Sequence, residues 1–183
     1  MAATVLVPIA DGTEEMEAVT IIDVLRRAGA DVTVASVDGL QVKASRGVKL
    51  TADTTIADCA GREFDAIVLP GGMPGAEHLR DCKTLIDLLK KQKEKGKLYA
   101  AICASPAVVL RTHGLLPKKA TCYPSFAEQL HDPSMAKHRV VVDDKCVTSG
   151  GPGTVLEFAL ELVRQLFGQQ KAKQVAEPML AKY

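Results

Sequence analysis

Residues 98–110 read LYAAICASPAVVL. The run Leu98 to Ile102 suits a strand buried on both faces. Cys103 ends that run, and Pro106 brings a φ already suited to the first helical position, so the spacing predicts a short helix from Pro106 to a stop at Gly114. A buried strand passing almost directly into a helix is the repeating unit of a parallel sheet covered by helices. The same unit appears upstream. Val5 to Ala10 reads as a first strand, with Pro8 expected at its end or at an unpaired position because it cannot donate to a ladder. A helix follows in which Ala18, Val19, Ile22 and Leu25 share an apolar face before Gly29, and Asp31 to Val37 alternates as a second strand.

Between Leu40 and Leu50 two short strand-like pieces flank Ser45-Arg46-Gly47, a hairpin signature. Ala66 to Leu69 is a buried strand ending in Pro70-Gly71-Gly72, and Leu85, Ile86, Leu88 and Leu89 mark an amphipathic helix whose lysines gather at its carboxyl end, where the dipole favours them. Ala120 to Tyr123, Arg139 to Val142 and Cys146 to Thr148 read as further strands, the last two joined at Asp143-Asp144-Lys145. Thr154 and Glu157 have capping-box spacing ahead of a helix that buries Phe158, Ala159, Leu162, Val163 and Leu166. No repeat or linker divides the chain, so residues 1–183 are expected to form a single α/β domain with a loosely held tail after Pro178.

Composition narrows the function classes. Among 183 residues, 23 Lys and Arg stand against 22 Asp and Glu, a net charge of +1 that offers no overall positive field for nucleic acid or an anionic membrane. No apolar run approaches the roughly 20 residues that span a bilayer, and no basic region precedes an apolar stretch at the amino end, so no leader is expected. The five cysteines, Cys59, Cys82, Cys103, Cys122 and Cys146, include no CxxC pair and no cluster at zinc spacing, which predicts a reducing compartment and no metal.

Ligands of open α/β sheets bind beyond the carboxyl ends of the strands, which directs attention to three strand exits. The first, residues 11–17, is DGTEEME. Glu14 and Glu15 read as complements of the helix dipole, whereas Glu17, a turn further in and beside apolar positions, is a candidate functional carboxylate. The second, PGGMPG at 70–75, is either a turn or a place where backbone N–H groups approach a ligand. The third delivers Cys103 into the start of a helix, the geometry of a nucleophile elbow. Helical N–H groups and the dipole there predict a depressed thiol pKa. The competing reading is a small buried hydrophobe, which is how the other four cysteines are read.

GTEEMEA at 12–18, RRAGADVTVAS at 26–36, SRGVKL at 45–50, LPGGMPGAEHLRD at 69–81, AAICASPA at 100–107 and GPGT at 151–154 together resemble the DJ-one/ThiJ/PfpI superfamily, in particular its protein deglycase and glutathione-independent glyoxalase branch. The resemblance spans nearly the whole chain. It implies a flavodoxin-like sandwich similar to class I glutamine amidotransferases, a homodimer in which segments carrying Asp23, Arg27 and Arg46 pack between subunits, and no cofactor. By position it assigns Cys103 as the reactive cysteine, Glu17 as the glutamate touching its sulfur, and the N–H groups of Gly72 and Ala104 as an anion pocket. Two departures stand out. Ala104 occupies the place of the histidine that completes a proteolytic dyad in the intracellular protease branch, which argues against peptidase activity. Tyr123 precedes Pro124 where many relatives carry a histidine, leaving the phenol as an auxiliary hydrogen-bond donor.

The activity so implied is conversion of 2-oxoaldehydes such as methylglyoxal and glyoxal to 2-hydroxy acids through a Cys103 hemithioacetal, with release of glyoxal adducts from proteins or nucleotides by the same nucleophile. The alternative is an oxidative-stress sensor or redox-regulated chaperone acting through a Cys103 sulfinate. The expected location is cytoplasmic, with nucleus and organelles left open.

Overall fold

The computed structural model describes residues 2–183. From the amino end run β1 (Thr4–Ile9), α1 (Glu15–Arg27) and β2 (Asp31–Ser36), then the antiparallel hairpin of β3 (Gln41–Lys43) and β4 (Lys49–Thr51), and the short β5 (Thr54–Thr55). β6 (Ala66–Leu69) leads into α2 (Gly75–Asp81) and α3 (Lys83–Glu94), and β7 (Leu98–Ile102) into a wide-turn π-helix over Pro106–Arg111. β8 (Val140–Asp143) and β9 (Cys146–Ser149) precede α4 (Val155–Phe167) and α5 (Gln169–Ala176).

Seven strands make one sheet in the order β5-β2-β1-β6-β7-β9-β8, parallel throughout except where β8 turns back on β9. Side chains alternate across the pleat, so the apolar strands divide the interior into two cores. Val5, Val7, Ile9, Ala66, Val68, Ala100 and Ile102 face α1, α4 and α5, against Ile21, Leu25, Phe158, Leu162 and Ala172. Leu6, Ile67, Leu69, Tyr99 and Ala101 face α2, α3 and the π-helix, against Leu79, Leu85, Leu89, Val109 and Leu110. Each large side chain fully buried this way, such as Phe158 or Leu89, contributes about 1.5–3 kcal/mol. The flavodoxin-like α/β arrangement expected from the sequence is the one observed.

The chain winds outward from β1 through β2 to β5 and then crosses to β6, so strand order reverses between β1 and β6. Loops leaving neighbouring strands there diverge and open a crevice at the carboxyl edge, which places the site.

Local expectations were corrected in three places. The buried face of α1 is Glu15, Glu17, Ala18, Ile21, Val24 and Leu25, while Val19 is 48% exposed, because Ala18, Ile21, Val24 and Leu25 are the apolar residues that pack into the core between the sheet and α4. Pro8 lies in β1 in register with Ala35 and, as expected, at an unpaired position, since the β1–β6 ladder has already stopped at Leu6. Ala120–Tyr123 is no strand; its polar backbone is satisfied instead by Thr148 Oγ1 and the Cys103 carbonyl. Thr154 makes no capping box with Glu157, because its hydroxyl bonds Gly151 and Ser149 while Glu157 pairs with Arg139.

Candidate active site

Glu17 is held in place by the start of α1. The Glu14 carboxylate caps that helix by accepting the Glu17 N–H at 2.8 Å, as its placement in the first turn suggested. The Glu14 N–H in turn donates to the Gly71 carbonyl at 2.9 Å, and the Gly71 N–H donates to Glu17 Oε2 at 2.7 Å. The carboxyl group is fully buried, and its Oε1 has no partner of full hydrogen-bond geometry among the described residues.

Cys103 meets it from β7. Its φ of 63° lies in the left-handed region that non-glycine residues rarely adopt, a strain of order 1–3 kcal/mol. The surrounding bonds enforce this elbow: the Cys103 N–H donates to the Ser149 carbonyl at 3.0 Å, and its carbonyl accepts the Tyr123 N–H at 2.8 Å. The strained backbone turns the sulfur towards the Glu17 carboxyl and the N–H groups of Gly72 and Ala104. Gly71 must lack a side chain, since a Cβ there would stand 2.6 Å from the Cys103 Cβ and 2.9 Å from Glu17 Oε2. Ser105, fully buried, donates its hydroxyl to the Pro70 carbonyl at 2.6 Å and ties the elbow to the Gly71-Gly72 loop that carries the other donor.

Burial raises the Glu17 pKa from its usual range to about 7, against the Gly71 N–H, which lowers it; the Glu14 charge raises it further. The Cys103 thiol is pushed up to about 12, first by burial and then by the Glu17 charge, while the N–H groups of Gly72 and Ala104 pull it down. The depressed thiol expected from an elbow is therefore reversed, first by burial of the sulfur and then by the carboxylate beside it. Two negative charges in contact in a buried site oppose each other, so near neutral pH the pair carries at most one and titrates as a unit.

The sulfur opens onto a cavity of about 640 Å³ lined by Glu14, Met16, Arg46, Met73, Tyr123 and Phe126, among others. Sequence reasoning read Glu15 as a dipole complement alone. Its buried carboxylate instead accepts the Ser45 hydroxyl at 2.9 Å and the N–H groups of Arg46 and Val48, latching the β3–β4 hairpin so that Arg46 overhangs the cavity. Ser105 also went unnoticed in the sequence, where a serine before a proline reads as an ordinary helix start. Tyr123 stands at the cavity wall, 45% exposed. The structure thus brings Cys103, Glu17, Gly72 and Ala104 into one cluster with Tyr123 at its mouth. Among the described residues no group of His, Cys, Asp and Glu is arranged to hold a metal ion, and no helix is long and apolar enough to cross a membrane.

A model of the DJ-1/PfpI family matches residues 3–165. The chain is 53% identical over 179 residues to Protein DJ-1 homolog B of Arabidopsis thaliana, an alignment covering 96% of this chain and 41% of that protein. It therefore spans less than half the length of that plant relative. It is 36% identical over 179 residues to the Glutathione-independent glyoxalase DJR-1.2 of Caenorhabditis elegans, covering 97% of this chain and 95% of the nematode protein. The structure of oxidized DJ-1 from Toxoplasma gondii superposes with a TM-score of 0.96 at 52% identity, over 100% of both chains.

Proposed function

The chain belongs to the DJ-1/PfpI family, and from that premise and the buried Glu17–Cys103 pair we propose that it is a cofactor-independent glyoxalase converting 2-oxoaldehydes to 2-hydroxy acids. The observation that carries the reading is a carboxyl group with a pKa of about 7 in contact with a strained thiol that faces two backbone N–H donors. A pKa near the working pH suits a group that both takes and returns a proton. As the Cys103 sulfur forms its bond to the aldehyde carbon of methylglyoxal, the thiol proton passes to Glu17, and the new oxyanion lies within reach of the Gly72 and Ala104 N–H groups. Glu17 returns that proton to the oxyanion to complete the hemithioacetal and then, as a carboxylate, moves a proton from the first carbon to the second through an enediol, leaving a thioester. Water cleaves the thioester, releasing lactate and regenerating the thiol. Early glyoxal adducts on proteins or nucleotides present the same carbonyl-derived carbon to the same nucleophile, so deglycation belongs to the proposal. The nematode relative named as a glutathione-independent glyoxalase supports it.

Lactate formation from methylglyoxal by reduced protein tests this directly, and Cys103→Ala is expected to lower it on the order of 10⁴-fold or more, as loss of a nucleophile does. The pH profile is specific to the pair. Because Glu17 accepts the thiol proton, kcat/KM should rise with pH through an apparent pKa of about 7. A flat profile between pH 5 and 8 would remove Glu17 from that role.

A second reading rests on Glu17 Oε1, which is buried without a full partner. An oxidised Cys103 sulfinate could take a proton-bearing Glu17 and the two N–H groups as ligands, which suits a redox sensor. Sulfinate formation that switches on suppression of client aggregation, without lactate formation, would select it. The homodimer remains part of the proposal, supported by apolar Met16, Val19 and Val48, each 48% exposed or more, on α1 and the hairpin that Glu15 latches to it. Sedimentation equilibrium at micromolar concentration should give twice the chain mass.

A further inference from the structure

Tyr123 and Pro152 form a partition, and the Cys103 cavity lies on only one side of it. On the other side is a second hollow of about 290 Å³, lined by Lys137, His138, Arg139 and the glycine-rich backbone from Gly150 to Gly153. The Tyr123 ring rests against Gly151, where an added Cβ would come within 3.3 Å of Cδ2 and 3.7 Å of Cε2, so the ring and the glycine segment stand together between the two spaces. The hollows are thus neighbours separated by one exposed ring, 45% open to solvent.

The charged side chains that line the second hollow are all basic. Arg139 commits Nε and Nη2 to Glu157 and to the Gly153 carbonyl, which neutralises Glu157. Asp132, the other nearby acid, is held low first by the Ser134 hydroxyl and N–H and then by Lys137 and His138. Among the described residues Lys137 has no ion-pair or side-chain hydrogen-bond partner, and Arg139 Nη1 also has none. What remains is a hollow whose own lining offers an ammonium, a guanidinium N–H and an imidazole as donors and no carboxylate, the ionised Asp132 and Glu157 standing outside that lining, beside a nucleophile cavity larger than a three-carbon aldehyde needs. Clefts of roughly 300–1,000 Å³ fit molecules much bigger than methylglyoxal.

We infer that the Lys137–His138–Arg139 hollow is an anion subsite serving the same thiol, and that the protein takes 2-oxoaldehydes carrying a carboxylate or phosphate tail in preference to neutral ones. The substrate class rests on the glyoxalase reading; the subsite rests on geometry and charge alone. The test therefore avoids turnover. Cys103 is alkylated with 4-(bromoacetamido)benzoate and with neutral bromoacetanilide, the thiolate displacing bromide to form a thioether in both cases. The reagents differ only in a carboxylate placed a ring's length from the reacting carbon. The carboxylate reagent should react about three- to fivefold faster, the range set by partly exposed charge pairs, and the ratio should shrink with added salt. Lys137→Glu should bring the ratio to unity or below, and Lys137→Arg should keep it. Protection by inorganic phosphate stronger than that by benzoate identifies a phosphate tail, and the reverse a carboxylate tail. Equal rates for the two reagents, or a ratio unmoved by Lys137→Glu, would overturn the subsite. Lactate assays run separately: a protein that makes no lactate yet keeps the carboxylate preference loses the glyoxalase reading and retains the subsite.

Discussion

Two hollows at opposite edges of the sheet show why a cavity alone is not a site. At the amino edge, where Phe64 and Lys97 lead into β6 and β7, a space of about 330 Å³ is lined by Arg62, Glu63, Lys91, Lys95 and Lys97. Its polar groups satisfy one another in the open. Lys95 and Lys97 pair with Glu63, whose carboxylate they hold low, and Arg62 stacks over Phe64 at 5.0 Å. At the carboxyl edge the polar groups are buried, incompletely paired and held by a strained backbone. A fold keeps such features only where the surrounding structure compels them, and such places are enriched in chemistry.

The sharpest way to break the comparison is Glu17→Gln. The amide can still accept from Gly71 and donate towards sulfur, but it carries no exchangeable charge, so turnover should fall by about 10²–10⁴-fold. Stability should move the other way. A folded pKa of about 7 against an ordinary 4.5 means that the native state binds the proton more tightly, so the wild type loses stability as pH rises between those values. At about 1.4 kcal/mol per pH unit this amounts to about 3 kcal/mol. Glu17→Gln should therefore be more stable than wild type by about that much at pH 8 and near equal at pH 4, which urea denaturation at the two pH values measures. Equal stability at both would mean the carboxylate is better solvated than its burial implies.

Ser105→Ala probes the brace between the two donor loops. It leaves the buried Pro70 carbonyl without its partner and should cost about 1–3 kcal/mol in thermal or urea unfolding. Because the brace sets Ala104 relative to Gly72, kcat should fall more than KM rises. At the other edge, Glu63→Ala removes the shared partner of Lys95 and Lys97, yet with Glu63 and Lys95 exposed and Lys97 partly so the change in stability should stay below about 1 kcal/mol, with lactate formation unaffected. A larger effect there would mean the amino edge also carries function.

The parts of this protein that were legible in its sequence are those encoded over short stretches. Leu98–Ile102, Ala66–Leu69 and the Leu85–Leu89 face each announce their element through local apolar period, and all three formed as read. The abrupt step from Ile102 through Cys103 to Pro106 marked an elbow, and Cys103 does adopt the positive φ that an elbow requires. Where local patterns competed with distant partners, the partners prevailed. Thr154 left its capping box for Gly151 and Ser149, and Ala120–Tyr123 gave up a strand for bonds to Thr148 and Cys103.

The sequence by itself determined the alternation of strands and helices, the three strand exits that meet at the Cys103 cavity, and the motifs by which the chain resembles its family, because each is written in residues close together in the chain. Only the tertiary structure decided that Glu17 is fully buried, that Glu15 latches a hairpin over the cavity, that the thiol is pushed up rather than down, and that Tyr123 divides two hollows. Those outcomes depend on residues such as Glu17 and Gly71, 54 positions apart, meeting at the strand crossover. A pKa or a burial is a property of the surroundings a group acquires on folding, and no local pattern specifies which distant loop will supply them.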